Sequence, residues 1–201
     1  MRLELLGGGT DMAYFYRSHP GKVLNAALDL SVYLLLAPSF DGKFFVRYKK
    51  NEIADLPSGL KNSRVKVALE YFKVKEGLEV VSYADIPAGS GLGSSSSFCV
   101  GLVNALSTLA GQKLSSRQMA ELACHLEIDV LKEPIGKQDQ YAAALGGLNL
   151  MTFQKNGRVM VKPLGLGPRL EKKLESHLIL VYTGSTRQAS DILAEQPPNP
   201  L

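Results

Sequence analysis

Long apolar runs, a signal-peptide pattern and metal-type cysteine spacing are all missing from this chain of 201 residues. Since roughly 20 consecutive apolar residues are needed to span a bilayer, we expect no membrane partner. The two cysteines, Cys99 and Cys124, lie on apolar helix faces, which favours buried thiols in a reducing cytoplasm. The net charge of +4 is scattered, so it gives little reason to expect nucleic acid and suits a polyanionic small molecule equally well.

With 45% hydrophobic and 21% charged residues, the chain has the composition of an ordinary globular protein with a substantial core. Helical and strand patterns mix without strict alternation, which predicts the α+β class rather than a doubly wound α/β fold. Helices are predicted at 61–76, from the glycine-rich segment near residue 93 to Gly111, and from Ser115, where Gln118 completes a capping box. We predict a hairpin at 41–48, strands at 78–84, 147–153, 159–161 and 178–182, and a disordered tail at 194–201.

The most informative segment is residues 87–97, called the glycine loop below. Gly89, Gly91 and Gly93 alternate between a predicted strand and a predicted helix, and four serines follow them. Glycine lets the backbone approach a ligand closely, and the first turn of a helix attracts an anion such as phosphate. No lysine follows the last glycine and no acidic residue follows at dinucleotide-site distance, which excludes a P-loop and a Rossmann fingerprint. A serine-capped turn would explain only one glycine and one serine, so we predict a phosphate cradle.

A second polar segment places Lys137, Gln138 and Asp139 directly after a turn forced by Pro134 and Gly136. Phosphoryl transfer to a hydroxyl needs an acceptor for the hydroxyl proton and cations that offset the phosphoryl charge. Asp139 could be that acceptor, with Lys137 as the cation that keeps it ionised. An exposed Lys–Asp loop is the alternative that the residues alone leave open.

The glycine loop, Pro-Ala-Gly-Ser-Gly-Leu-Gly-Ser-Ser-Ser-Ser, resembles the second motif of the GHMP small-molecule kinases. In that family the motif wraps the triphosphate of the nucleotide. The resemblance therefore implies ATP as the nucleotide and a set of ATP-binding residues in this chain. These residues are Pro87, Gly89, Ser90, Gly91, Leu92, Gly93, Ser94, Ser95 and Ser96.

The same resemblance extends to the segment around Asp139, which matches the stretch that supplies the family's catalytic aspartate. It implies Asp139 and Lys137 as catalytic residues. It also implies a Mg²⁺ ion bound by Ser95 and Glu127, because magnesium-dependent members carry a glutamate at about this offset. Asp129 is close enough to compete with Glu127 for this role, and a solvated acid at a helix end is the other interpretation of Glu127.

Two further segments resemble substrate-contacting parts of the family. Gly8, Gly9, Thr10 and Asp11 match the first motif, whose acidic residue binds sugar hydroxyls in sugar kinases; an Asx turn is the alternative for Asp11. Gln138 is expected to contact the same substrate. We also expect a second anion site at Gly184, Thr186 and Arg187, since Arg187 offers a planar fork for phosphate; a helix cap with a surface arginine is equally plausible.

Together the motifs, from about residue 5 to 193, are most similar to family members that act on a heptose phosphate. The resemblance implies transfer of the γ-phosphoryl group of ATP to the anomeric hydroxyl of D-glycero-D-manno-heptose 7-phosphate. The alternatives are another GHMP sugar kinase, for fucose or galactose, and an inactive nucleotide-binding fragment. The expected partner is a small-molecule sugar phosphate, and a homodimer is allowed for.

The resemblance also implies a fold similar to domain 2 of ribosomal protein S5, with residues 1–193 as the N-terminal, ATP-binding domain. The C-terminal, ferredoxin-like domain would begin near residue 170 and be largely missing. Two departures from the family support this expectation: the first strand is short, and no third glycine motif follows Arg187. We therefore expect an N-terminal portion of the enzyme, of uncertain activity, with exposed apolar surface where the missing domain would pack.

Overall fold

Two four-stranded sheets and the helices packed on them make up the computed structural model, which describes residues 1–181 and residue 184. The strands are β1 (Arg2–Leu6), β2 (Gly21–Ala27), β3 (Val32–Pro38), β4 (Phe44–Arg47), β5 (Asn51–Ala54), β6 (Leu78–Ala84), β7 (Leu148–Phe153) and β8 (Val159–Pro163). The α-helices are α1 (Ala13–Tyr16), α2 (Ser63–Tyr71), α3 (Ser94–Leu109), α4 (Ser116–Cys124), α5 (Gln138–Leu145) and α6 (Pro168–Glu175). A 3₁₀ turn spans Pro57–Gly59, and a π-helical segment, His125–Val130, continues α4. The predicted α+β class is confirmed.

The first sheet is antiparallel throughout, in the order β1-β2-β7-β8. The pairing of β1 with β2 shifts register between Glu4 and Leu6, just before the chain turns into the segment that begins at Gly7. This sheet therefore delivers the side chains of β1 and the 7–11 segment to one end of the molecule.

The second sheet has the order β3-β6-β4-β5, and it overturns the predicted hairpin at residues 41–48. Strand β6 lies between β3 and β4, pairing antiparallel with the first and parallel with the second. The true hairpin joins β4 to β5, where the Tyr48 N–H donates to the Lys50 carbonyl at 3.1 Å. The Asp41–Gly42 turn signal was correctly placed, but a turn does not dictate that the strands on either side of it pair.

Several element predictions are confirmed, among them β6, α3, β7, β8 and the Ser115–Gln118 capping box of α4. The predicted helix at 61–76 is shorter. Asn62 caps its start, and it ends after Tyr71 because Lys73 adopts a φ of +54° and the Val74 N–H turns back to the Leu69 carbonyl. The strand predicted at 178–182 is wrong over the described residues 178–181, which are exposed and pair with neither sheet.

Helix α3 is the central element of the packing. Its residues Leu102 and Leu106 are almost fully buried against α2 and the second sheet, with Phe44, Leu69 and Val80 in the same cluster. A second cluster joins the first sheet to α4 and α5. Because α5 contacts both α3 and β1, the N-terminal ends of α3 and α5 meet beside the first strand.

The two cysteines are buried free thiols, as predicted. Burial raises the pKa of both thiols, so each stays protonated and unreactive. None of the helices among the described residues is long and apolar enough to cross a membrane.

Candidate active site

The glycine loop leaves β6 and enters α3 through three left-handed glycines, with φ values of +80° at Gly89, +77° at Gly91 and +71° at Gly93. Residues with a Cβ rarely adopt this conformation, which explains the alternating glycines. Gly93 is the N-cap of α3, and no side chain caps the helix. The first helical hydrogen bond runs from the Ser97 N–H to the Gly93 carbonyl, at 3.0 Å. The N–H groups of the first turn of α3 are therefore available to an anion.

The serines of the glycine loop differ in burial. The buried hydroxyls of Ser90 and Ser97 have no hydrogen-bond partner among the described residues. Ser95 is exposed, Ser94 is half-buried and Ser96 is buried. Leu92 turns into the protein and is only 9% exposed. An unpaired buried hydroxyl is uncommon and indicates an absent ligand or water. A nucleotide triphosphate fits this loop, because the loop offers backbone amides to phosphate oxygens, two unpaired hydroxyls and glycines that allow close approach.

Asp139 lies directly beside the glycine loop, in the first turn of α5. A Cβ added to Gly93 would be 3.0 Å from its Oδ2 atom. Its Oδ1 atom accepts a hydrogen bond from Arg2 Nε at 2.6 Å. Arg2 Nη1 also donates to the Gly91 carbonyl at 2.8 Å. One arginine from β1 therefore ties the carboxylate to the loop and places a positive charge between them.

Lys137 lies elsewhere, so its predicted pairing with Asp139 is wrong. Its Nζ atom donates to the Gly157 carbonyl at 2.8 Å and lies 5.4 Å from the centre of the Tyr16 ring. Lys137 also lines a cavity of about 200 Å³ together with Tyr141. Side chains two positions apart at the start of a helix point in different directions, and Lys137 and Asp139 have this spacing. Arg2 is the cation on Asp139.

Asp11 and Gln138, both predicted to contact substrate, lie together. The Asp11 side chain is the acceptor for the Gln138 backbone N–H at 3.0 Å, so it is not an Asx turn. The residue is 3% exposed. Burial raises the pKa of Asp11 to about 6, reinforced by the charges of Asp139 and Glu4 and opposed by the Gln138 N–H. Gly136 is required here, since a Cβ would fall 1.9 Å from Asp11 Oδ2.

The rest of the predicted first motif shapes the loop. Thr10 Oγ1 donates to the Gly7 carbonyl at 2.7 Å and accepts from the Lys22 N–H at 3.0 Å, which fixes the turn. Gly8 is exposed, and Gly9 has a φ of +80°. The Thr10 hydroxyl therefore makes its hydrogen bonds to backbone groups of the loop.

Glu127 is fully buried in the π-helical segment, so it is not a solvated acid at a helix end. One of its carboxylate oxygens accepts from Arg64 Nε at 2.8 Å and the other from Gln140 Nε2 at 2.7 Å. Arg64 also contacts Glu133 at 3.3 Å.

The predicted Mg²⁺ ligands fit the ion only in part. The exposed Ser95 hydroxyl is at the loop and is a suitable hard ligand. Glu127, in this arrangement, does not fit, because Arg64 neutralises its charge and both oxygens are engaged. Within the described part of the chain, no group of three or more His, Cys, Asp or Glu side chains could hold a metal ion. Asp129, the alternative, is exposed and lies 3.1 Å from His125 Nδ1.

The predicted second anion site is described only at Gly184, where φ is +78°. Thr186 and Arg187 lie outside the described residues.

Sequence reasoning missed four residues of this region: Arg2, Glu4, Arg64 and Gln140. A signal existed for two of them, because Arg2 and Glu4 are two residues apart on one strand and therefore share a face. No sequence pattern indicates that Arg64 of α2 pairs with Glu127, since the two are 63 positions apart.

Comparison with known proteins identifies relatives for this arrangement. The family model described as the GHMP kinases N terminal domain matches residues 62–147. The chain is 34% identical to a D-glycero-alpha-D-manno-heptose 7-phosphate kinase of Campylobacter jejuni, over 96% of this chain and 60% of the relative. It is 26% identical to a mevalonate kinase of Pyrococcus horikoshii, over 87% of this chain and 48% of the relative.

A solved structure shows the same fold. The crystal structure of a D-glycero-D-manno-heptose 1-phosphate kinase from Bacteroides thetaiotaomicron superimposes with a TM-score of 0.80 at 30% identity. The match covers 88% of this chain and 61% of that structure. The chain thus spans about three fifths of the length of these heptose phosphate kinases.

Proposed function

We propose that the chain provides the nucleotide and sugar sites of an ATP-dependent sugar kinase of the GHMP family, whose N-terminal domain model matches residues 62–147. The observation that carries this proposal is the position of Asp139. Its carboxylate lies against an uncapped, glycine-lined helix N-terminus and is held there by Arg2. A proton acceptor beside a phosphate cradle is the arrangement that phosphoryl transfer to a hydroxyl requires.

Each residue of the site has a part in this chemistry. The glycine-loop amides and the Ser90 and Ser97 hydroxyls would bind the triphosphate of ATP, which supplies the transferred phosphoryl group. Asp139 accepts the proton of the sugar hydroxyl, or orients that hydroxyl. Arg2 stabilises negative charge on the phosphoryl oxygens while its Nε keeps Asp139 in place. Lys137 would have to leave the Gly157 carbonyl to take part, so Arg2 takes the cationic role here.

Mg²⁺ is part of the proposal through the family resemblance. Mg²⁺ takes few protein ligands and prefers phosphate and water oxygens, so the Ser95 hydroxyl would hold it together with the phosphate oxygens of ATP. The predicted contribution of Glu127 would require its contacts with Arg64 and Gln140 to change.

For the acceptor we propose D-glycero-D-manno-heptose 7-phosphate, phosphorylated at its anomeric hydroxyl. The support is the similarity to two heptose phosphate kinases, whose names differ in the position of the phosphate. Asp11 and Gln138 would bind sugar hydroxyls, and Arg187 with Gly184 and Thr186 would bind the existing phosphate. A cytoplasmic location and a homodimer belong to the same proposal.

An assay of γ-phosphoryl transfer tests this function. The chain is incubated with ATP and Mg²⁺ and with the heptose 7-phosphate, fucose or galactose, and sugar phosphate formation is followed by ³¹P NMR. We expect turnover with the heptose phosphate and, for Asp139→Asn, a loss of kcat of roughly a hundredfold or more with ATP affinity unchanged. Asp55→Asn is the matched control, because Asp55 is exposed and its one ion pair in the described part of the chain is with Lys43, at 3.7 Å.

Other outcomes select among the alternatives. Turnover of fucose or galactose alone would replace the heptose phosphate as substrate. ATP binding without turnover of any sugar would favour an inactive nucleotide-binding fragment, which the partial coverage of the relatives keeps open. A kcat for Asp139→Asn close to that of Asp55→Asn would refute the role of Asp139.

A further inference from the structure

We propose that Glu4 is a specificity-determining residue, which together with Asp11 and the side-chain carbonyl of Gln138 binds the hydroxyl groups of a polyol. The proposal deepens the sugar-kinase function above and rests on it. The proposal adds the Glu4 carboxylate, a hydrogen-bond acceptor outside the predicted substrate-contacting segments. It also states which end of the substrate would face Glu4.

Glu4 is two residues beyond Arg2 on β1, so both side chains leave the same face of the strand. Arg2 reaches Asp139, and Glu4 reaches the neighbouring residue: its Oε2 atom accepts from Gln138 Nε2 at 2.8 Å. The same Gln138 nitrogen lies 3.5 Å from Asp11 Oδ1. One amide group thus bridges the carboxylates of Glu4 and Asp11, directly beside the catalytic aspartate.

The amide orientation leaves an acceptor without a donor. Because Gln138 Nε2 faces two carboxylates, its Oε1 atom must be the carbonyl, and this buried atom has no hydrogen-bond partner among the described residues. Gln138 as a whole is only 6% exposed. A buried carbonyl without a donor is costly, so this atom calls for a ligand or water that donates a hydrogen bond.

Gly8 makes room for the Glu4 carboxylate. A Cβ at position 8 would lie 2.0 Å from Glu4 Oε1 and 2.6 Å from Oε2. Gly8 is exposed and Glu4 is half-buried, so the carboxylate beside Gly8 is not closed off from the surface. No hydrogen bond to this oxygen exists among the described residues. Glu4 Oε1 is therefore a second acceptor that a ligand hydroxyl can use.

The charges define the chemistry of the ligand. Glu4 and Asp11 supply two carboxyl groups around the Gln138 amide, whereas Arg2, the cation of the phosphoryl site, contacts Asp139 and Gly91 instead. A phosphate group would be repelled here, whereas uncharged hydroxyls supply the hydrogen-bond donors that the acceptors lack. A sugar phosphate would consequently bind with its hydroxyl-bearing end towards Glu4 and its phosphate directed away.

Ligand binding to Glu4→Gln tests the proposal. The substitution keeps the size of the side chain and one acceptor for the Gln138 amide, and it removes the charge. We expect calorimetry to show at least about tenfold weaker binding of D-glycero-D-manno-heptose 7-phosphate, with ATP affinity within about twofold of the unsubstituted chain. Glu79→Gln, on β6 of the other sheet, is the matched control.

A second variant guards against a folding defect. Glu4→Asp retains the charge but withdraws the carboxylate, so it should also weaken sugar binding, and circular dichroism checks that both variants are folded. Unchanged sugar affinity in both variants, or equal losses for sugar and ATP, would overturn the role of Glu4 while leaving the kinase proposal intact. Sugar binding that depends on Glu4 without phosphoryl transfer would support Glu4 and refute the kinase function. No binding of sugar by the unsubstituted chain would overturn both.

Discussion

Asp11 shows how a single buried carboxyl group can favour function over stability. Its folded-state pKa of about 6 exceeds the ordinary value of 3.8, chiefly because burial disfavours the charged form. At neutral pH the folded chain therefore contains an ionised carboxylate whose burial lowers the stability of the fold. In the proposed sugar site, an ionised carboxylate would offer all its acceptor positions to hydroxyl groups.

This pKa predicts a pH-dependent stability difference. With its folded-state pKa raised, Asp11 contributes stability that is fully present below pH 3.8 and is lost as the pH rises through about 6. Asp11→Asn removes this titration. The unfolding free energy of Asp11→Asn minus that of the unsubstituted chain should therefore increase by up to about 3 kcal/mol as the pH rises from roughly 4 to 8.

Urea unfolding followed by circular dichroism at several pH values measures this difference. Asp55→Asn, at an exposed position, is the control and should follow the unsubstituted chain. Parallel stability curves for Asp11→Asn and the unsubstituted chain would contradict the assignment of a raised pKa to Asp11.

Gly93 combines two demands in one residue. Its φ of +71° disfavours a side chain, and the space a Cβ would occupy lies 3.0 Å from Asp139 Oδ2. Gly111 has almost the same φ, +70°, but no atom of residues 1–181 or 184 lies within 4 Å of a Cβ built there. A side chain at either position would strain the backbone, but only a side chain at Gly93 would also displace the Asp139 carboxylate.

We therefore predict different outcomes for alanine at these two glycines. Both substitutions should cost about 1 kcal/mol of stability through backbone strain, as thermal unfolding would show. Gly93→Ala should in addition lower kcat by at least about tenfold, since a displacement of about 1 Å at a reacting group is costly. Equal kcat values for Gly93→Ala and Gly111→Ala would show that Asp139 does not depend on the loop.

At the scale of elements, the buried Arg64–Glu127 pair links α2 to the π-helical segment and, through Gln140, to α5. Removing one partner leaves the other charge buried and unpaired, which is more costly than replacing both. The pair therefore orders the segment that leads to Asp139.

Arg64→Met should destabilise the chain by about 3 to 5 kcal/mol, because Glu127 is then an uncompensated buried charge. The double variant Arg64→Met with Glu127→Gln should recover a large part of this loss. Chemical unfolding of the two single variants and the double variant measures the coupling. Simple additivity of the two effects would mean that the two side chains do not interact as described.

Elements specified by local signals were predictable, and pairings between distant segments were not. Strand β6, the glycine loop and α3 follow from alternation, glycine spacing and helical periodicity in neighbouring residues. The predicted hairpin at residues 41–48 was wrong because β6, contributed from much later in the chain, lies between β3 and β4. The early end of helix α2 was not predicted, because the residue in the left-handed conformation there is Lys73 and not a glycine, which would have marked the helix end in the sequence.

The site was predictable to a similar extent. Asp139, Asp11 and the glycine loop were found from motifs, and the structure brings them together. The partner of Asp139 was not found by local reasoning, since Arg2 is 137 positions away. Lys137 was chosen because it is near in sequence, but helical geometry turns it away from the carboxylate.

At the scale of the whole molecule, the two sheets and the helices place three separate segments at one end. Strand β1 contributes Arg2 and Glu4, the start of α3 contributes the phosphate cradle, and the start of α5 contributes Gln138 and Asp139. The contact of α5 with α3 and β1 fixes their relative positions. The geometry of the candidate site therefore depends on the packing of the first sheet against α5.

The far end of the described chain behaves differently. Helix α6 has no buried residue, and Ile179 and Val181 are 88% and 72% exposed. The start of a second domain near residue 170, and an apolar surface that such a domain would cover, stay predictions.

A crystal structure of the chain with a non-hydrolysable ATP analogue and Mg²⁺ would test the central claim most directly. We expect the triphosphate over the N–H groups of the first turn of α3, with the γ-phosphoryl group towards Asp139 and Arg2 and the hydroxyls of Ser90 and Ser97 satisfied. A nucleotide bound away from residues 87–97, or a γ-phosphoryl group directed away from Asp139, would contradict it.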